Sequence, residues 1–280
     1  MRGQAQADQD FIVLRPTAGW RAVNLRELWR FRDLVWALAI RDVKLRYRQT
    51  ALGVVWVVLQ PLLAAGIFSF VFGRVAGLSS GNVPYVVFAF AGLLGWNLFQ
   101  NTVAKGSISL VSNASMLSKI FFPRLALPMS TIPGTVLDFT VGLGAFIVVA
   151  ALKHSLPGLP FLTLPLWIVL MLCIALGLGL LSAALMVSYR DVGQAVPVAL
   201  QMLLYITPVA YSLDNVPSNL RFVYALNPLV GVLEGFRWAL VPGYDAQLGY
   251  AVYSAAFGVL ALVVGLVGFA RMERKFADVI

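Results

Sequence analysis

Few side chains in this protein are equipped to react. His154 is the one histidine and lies in the short polar stretch KHSLPG. Alone, it has no second group to make it a base or a ligand. Cys173 is the one cysteine, inside an apolar run, so neither an intrachain disulfide nor a thiolate cluster is expected. No His, Cys, Asp or Glu set has the spacing of a metal site. No serine stands in a GxSxG elbow, and no GxxxxGKS/T loop is present to cradle phosphate. The chain is therefore expected to carry no catalytic residue, no metal and no cofactor. Two charged features remain. Asp138, in PGTVLDFTVG, is an ionisable group within an otherwise uncharged run. Glu234 and Arg237 stand three apart in LNPLVGVLEGFRWALV, a spacing that lets them pair on one helix face.

The surroundings of those groups are apolar. The chain has 280 residues, 60% hydrophobic and 12% charged, with a mean hydropathy of +0.85. A soluble domain carries about 25% charged residues. The net charge of +9 would suit nucleic acid. The cations, however, flank long apolar runs rather than coat a polar domain, so membrane lipids are the expected partner and nucleic acid is not. Six stretches are long and apolar enough to span: 51–73, 85–104, 125–152, 159–187, 192–213 and 248–270. The predicted fold is an all-α polytopic membrane protein. Residues 1–50 form a cytoplasmic N-terminal segment, 51–270 the six-helix domain and 271–280 a cytoplasmic tail. The first thirty residues lack an apolar core, so no cleaved signal peptide is expected.

An even number of spans puts both termini on one side. With the termini inside, 17 of the 21 lysines and arginines face the cytoplasm, which is the sidedness expected. Lys105, Lys119 and Arg124 then fall in an inner loop after the second span. The stretch RDVKLRYR packs Arg41, Lys44, Arg46 and Arg48 ahead of 25 uncharged residues, as an anchor at anionic headgroups would. Before it, residues 24–40 read as an amphipathic helix lying in the membrane interface. Asn24 and Glu27 can form a capping box. Leu25, Leu28, Trp29, Val35, Trp36 and Ala39 make the apolar stripe, with Arg26, Arg30 and Asp33 opposite. Arg32 falls within the stripe and has to snorkel.

The stretch 226–241 is too short and too charged to span, so a re-entrant pair of short helices is expected. Such backbone persists at membrane depth only when buried in protein or lining a wet cavity. An ordinary outer amphipathic helix is the alternative. For Asp138, a structural role is expected, its carboxyl hydrogen-bonded to neighbouring hydroxyls or to backbone freed near Pro133. Use as a coupling site in a secondary transporter is the more distant alternative.

Four stretches, in order, resemble the ABC-2 type permeases that export polysaccharides: RDVKLRYRQTALGVVWVVLQPL, SNASMLSKIFFPRLALP, SYRDV and LNPLVGVLEGFRWAL. The leading FIVLRPTAGW resembles the lipopolysaccharide and O-antigen branch. The resemblance implies a homodimer of six-span subunits in the bacterial inner membrane, joined to two ATP-binding cassette subunits. ATP and Mg would be held by those partners, and this chain would be the conduit for a lipid-linked polysaccharide. Teichoic acid, capsule or another cargo on the same architecture is the alternative. In that family the loop over 113–122 couples to the ATPase. Here Met116, Leu117, Ile120 and Phe121 would give it an apolar face, with Lys119 on the polar side, Pro123 ending the helix and Arg124 following. A plain connecting turn is the alternative. The first and fifth spans flank the family's channel, which makes Trp56, Phe68, Phe72, Tyr205 and Tyr211 conduit candidates. Sugar rings pack their CH faces on aromatic rings without demanding one pattern of hydroxyls. An interfacial aromatic belt competes for the same residues.

Overall fold

The computed structural model describes residues 25–48, 55–81, 83–117, 119, 121–245 and 248–273. Among these the regular elements are all helical. In chain order they are α1 (Leu25–Arg30), α2 (Arg32–Arg48), α3 (Val55–Phe68), α4 (Tyr85–Ser112), α5 (Ala114–Leu117), α6 (Ala126–Leu152), α7 (Leu164–Ser188), α8 (Val192–Ile206), α9 (Arg221–Ala225), α10 (Pro228–Leu240) and α11 (Leu248–Glu273). A π-helical segment, Ser69–Val75, continues α3, and a 3-10 turn, Leu159–Thr163, leads into α7. Five helices are long and apolar enough to cross a membrane: α3 with its π extension, α4, α6, α7 with its 3-10 turn, and α11. The protein is an all-α polytopic membrane protein.

The segment predicted as the fifth span, 192–213, departs from a single crossing helix. α8 has 15 residues, about 22 Å at 1.5 Å per residue, against a hydrocarbon core of about 30 Å. It ends because Thr207 precedes Pro208. The proline ring disfavours the helical region for its predecessor, and Thr207 is extended at φ −90°, ψ 136°.

α4 is the axis of the bundle. Its apolar window is 78% buried, against 11% for α3, so α3 presents most of its surface outward. α3, α6, α7, α8 and α10 all pack on α4. One position on α4 has to be glycine: a Cβ on Gly92 would collide with the Val209 carbonyl in the irregular stretch after α8. α7 and α11 form the other close pair. A Cβ on Gly177 would strike the backbone of Ala261, and one on Gly265 would strike Gly177 itself. Lipid tails are as apolar as leucine, so helices in a bilayer join by close van der Waals approach, and small residues permit it.

The amphipathic stretch differs from expectation in extent and in facing. Helix is interrupted at Phe31, and α2 then runs on through the basic cluster to Arg48. α2 lies along α6, with Leu38 and Ala39 buried. Leu28 and Val35 pack with them against a cluster that includes Leu110, Phe122, Leu127 and Phe269. Trp29 and Trp36 instead point outward, so the predicted stripe divides into a bundle-facing part and an exposed aromatic part. The Arg32 guanidinium sits over the Trp29 ring, 5.4 Å from its centroid. Asn24 and the side chains of Leu25, Arg26 and Glu27 lie outside the described residues.

Candidate functional site

The polar centre of the molecule lies at the end of the bundle where α4 begins. Asn227 caps α10, its side chain accepting from Leu229 N, and Pro228 follows at the first helical position, where no N–H is needed. The cap fixes the start of a helix buried along nearly its whole length. Glu234 and Arg237 face inward from it, one turn apart and both almost fully buried, with Arg237 Nη1 donating to Glu234 Oε1 at 2.8 Å. Arg237 Nη2 donates to the carbonyls of Pro208 (2.5 Å) and Val209 (2.9 Å), and the guanidinium lies 4.3 Å from the Phe88 ring centroid. Tyr244 donates to Glu234 Oε2 at 2.7 Å. Burial, the largest cause, pushes the Tyr244 phenol well above its ordinary pKa, so it stays protonated as a donor.

The arrangement is a clamp. Beyond Ile206, where α8 stops, the carbonyls of Pro208, Val209 and Ala210 have no helical partners and must find others inside a low-dielectric interior. Arg237 supplies two donors, and Tyr85 supplies a third to Ala210 O at 2.6 Å. Asn227 Nδ2 donates to Thr207 Oγ1 at 2.9 Å. The short helix before the last span is thereby tied to the unwound end of α8. Over 226–241 the structure has one helix, α10, buried in protein, rather than the expected pair; the short α9 precedes that stretch. Composition pointed to Glu234 and Arg237 but not to Tyr85, Phe88, Tyr244 or the carbonyls they serve. The Asn227–Pro228 pair was a readable helix start.

Three of the five aromatic candidates come together beside this clamp. Phe68 and Phe72 stack edge-on at 5.7 Å, Phe72 meets Tyr211 at 6.4 Å, and Tyr211 meets Tyr224 at 6.3 Å. The Tyr211 and Tyr224 hydroxyls are 2.9 Å apart. The π segment lets Phe72 reach the chain beyond α8. Trp56 and Tyr205 stay outside this row, 51% and 69% exposed.

Asp138 has a partner that sequence placed elsewhere. Lys105 Nζ lies 2.7 Å from Asp138 Oδ2. Lys105 belongs to α4, not to an inner loop, because α4 runs on to Ser112. The polar residues there stay helical by bonding to their own helix: Ser107 to Ala104 O, Ser109 to Gly106 O and Ser112 to Ile108 O. The pairing favours structure over proton coupling. Asp138→Asn alone should cost about 1–3 kcal/mol of stability, since it leaves a part-buried cation. Lys105→Met combined with Asp138→Leu should recover most of that loss in a thermal-aggregation assay. A stable double variant that has lost transport would instead assign the carboxylate to coupling.

The loop after α4 is less helical than predicted. Among the described residues of 113–122 the helix is limited to one turn, α5. Met116 and Leu117 pack on the protein's own apolar cluster, so they do not share an outward face with Phe121, which is 68% exposed. Lys119 is exposed and Ile120 lies outside the described residues. Pro123 is half-buried, and Arg124 Nη1 donates to the Glu273 carbonyl at the end of α11 at 2.7 Å. Phe122, buried beside Leu125 and Ala126, is the anchor that sequence reasoning missed.

Residues 33–241 match the ABC-2 type transporter family. Over 251 residues the chain is 28% identical to the O-antigen export system permease protein RfbA of Klebsiella pneumoniae, covering 89% of this chain and 95% of that one. It is 29% identical over 259 residues to the RfbA permease protein of Myxococcus xanthus, covering 91% and 98%. The polysialic acid transport protein KpsM of Escherichia coli is 25% identical over 247 residues, covering 85% and 93%. With the match reaching from α2 to the end of α10, the chain belongs to the ABC-2 type transporter family.

Proposed function

We propose that this chain is the membrane subunit of an ATP-driven exporter that moves a lipid-linked polysaccharide of O-antigen type across the bacterial inner membrane. The observation that carries this reading is the nearly end-to-end similarity to permeases named for O-antigen export. The similarity to KpsM keeps a different polysaccharide, such as polysialic acid, as the second reading. The working unit is a pair of these chains with two ATP-binding cassette subunits, which hold the ATP and Mg. The cation bias supports both termini in the cytoplasm, with α8 and the irregular stretch after it together making the sixth crossing. Phe68, Phe72, Tyr211 and Tyr224 form an aromatic row on which sugar rings slide. A chain in transit suits several weak, similar contacts better than one tight site. The test is complementation in a strain lacking the gene. Surface polysaccharide should return when this chain is expressed with its ATPase and not with either alone, and the purified chain should hydrolyse no ATP. Export without the ATPase, or robust turnover by the isolated chain, overturns the reading.

The ATPase docks on the loop around Phe121. Its exposed ring is free to enter a groove, whereas Met116 and Leu117 hold the loop to the bundle. Apolar anchors at an interface centre are worth ~2 kcal/mol or more. Phe121→Ala should therefore weaken ATPase co-purification by roughly thirtyfold and leave the subunit's own melting unchanged. Lys119→Ala should do less, since rim charges act mainly on encounter rate. Lys119→Cys should resist an impermeant thiol reagent in intact cells while Asn219→Cys reacts. Undiminished co-purification of Phe121→Ala, or outside labelling at Lys119→Cys, would remove the docking site from this loop.

A further inference from the structure

We propose that the crevice between α2, α4 and α6 holds the headgroup of a phospholipid that carries a phosphate and a primary ammonium. The crevice is a cavity of about 170 Å³ at the end of the bundle away from the Arg237 clamp. Its polar wall comes from three helices: Asp42 on α2; Lys105, Ser109 and Asn113 on α4; Ser130 and Thr131 on α6. Ala39, Val43, Ile108 and Leu127 complete it with apolar surface. Ile108 is half exposed, so that apolar side continues to the outer surface of the bundle.

The wall is rich in acceptors. Ser109 Oγ donates to Gly106 O, Ser130 Oγ to Leu127 O and Thr131 Oγ1 to Pro128 O, each within its own helix. A hydroxyl has one proton, so once that proton is used only lone pairs remain to offer a guest. Asn113 Oδ1 already accepts from Arg41 at 2.8 Å. Two charged side chains line the space, and each has its partner behind the wall: Asp42 at the mouth pairs with Arg41, and Lys105 at the deep end pairs with Asp138. From Lys105 to Ser112 is seven residues, about 10 Å along α4. A matching guest brings hydrogen-bond donors to the mouth and negative charge to the depth. Phosphoethanolamine does both, since its ammonium has three N–H donors and its phosphate adjoins the cation. A choline headgroup has no N–H to give. The outward-pointing Trp29 and Trp36 on α2 are the residues that settle at headgroup level in a bilayer. A lipid and a soluble phosphoethanolamine share this chemistry, and the open apolar side favours the lipid. The inference uses nothing about the cargo.

The test is native mass spectrometry of the purified full-length subunit. The probes are phosphatidylethanolamine, phosphatidylcholine and phosphatidylglycerol with identical acyl chains, and free phosphoethanolamine. Phosphatidylethanolamine should bind about tenfold more tightly than phosphatidylcholine, the equivalent of one charge-assisted hydrogen bond. Asp42→Asn should reduce that preference, and Thr131→Leu, which fills the cavity, should abolish it. If Thr131→Leu fails to fold, Asp42→Asn carries the comparison alone. Equal binding of the ethanolamine and choline lipids overturns the proposal. So does a preference untouched by the foldable variants, or tighter binding of phosphatidylglycerol. Free phosphoethanolamine binding as tightly as the lipid overturns the lipid assignment.

Discussion

Arg237→Met is expected to be the most damaging single change in the half of the protein around α10. It leaves the Glu234 carboxylate buried without its cation and takes both donors from the carbonyls of Pro208 and Val209. Removing one member of a buried pair costs about 3–5 kcal/mol, enough to exhaust much of a marginal stability. The loss should appear as early aggregation of the detergent-solubilised protein and as loss of surface polysaccharide. Adding Glu234→Met should return part of the stability by removing the stranded charge. Recovery should stop short of wild type, because the two carbonyls still lack donors. Arg237→Lys should fall between. An ammonium keeps the charge but has no planar fork to reach Glu234 and two carbonyls while lying over Phe88. Full recovery in the double variant would show that the carbonyl bonds contribute nothing, and an unaffected Arg237→Met would remove the clamp from the account.

Gly177→Ala should be nearly as severe, although it adds a single methyl. The added carbon would meet the backbone of Ala261 and Leu262 rather than a side chain, and backbone in a packed helix has nowhere to turn. α7 and α11 would have to separate. Overpacking costs about 1–3 kcal/mol even where side chains can adjust, and the upper end is expected here. Gly144→Ala is the matched control. It sits within α6 with nothing within 4 Å of the new carbon, so the higher helix propensity of alanine should leave stability unchanged or slightly raised. Thermal stability of the two variants side by side is the measurement. Equal effects would mean that the α7–α11 approach is looser than the backbone contact implies.

The amino-acid order alone fixes the solvent, and with it most of the architecture. Apolar runs of spanning length commit the chain to bilayer helices, and α3, α4, α6, α7 and α11 lie where hydropathy puts them. The Glu234–Arg237 spacing brings the two onto one helix face. These properties are local: they follow from side-chain transfer energies and a rise of 1.5 Å per residue. The remaining features depend on groups far apart in sequence. Whether Lys105 is a loop cation or the partner of Asp138, 33 residues on, depends on α4 and α6 packing side by side. Whether Arg237 is merely paired or also holds the irregular stretch beyond α8, at Val209 28 residues back, depends on where Thr207 leaves the helix and on Gly92 admitting the Val209 carbonyl. In the loop after α4, the apolar positions look alike in sequence. The packed bundle separates them, drawing Met116, Leu117 and Phe122 inward and leaving Phe121 outside. Hydropathy assigns each residue a preference for burial, but which neighbours fill the limited space around it is a property of the whole packed bundle.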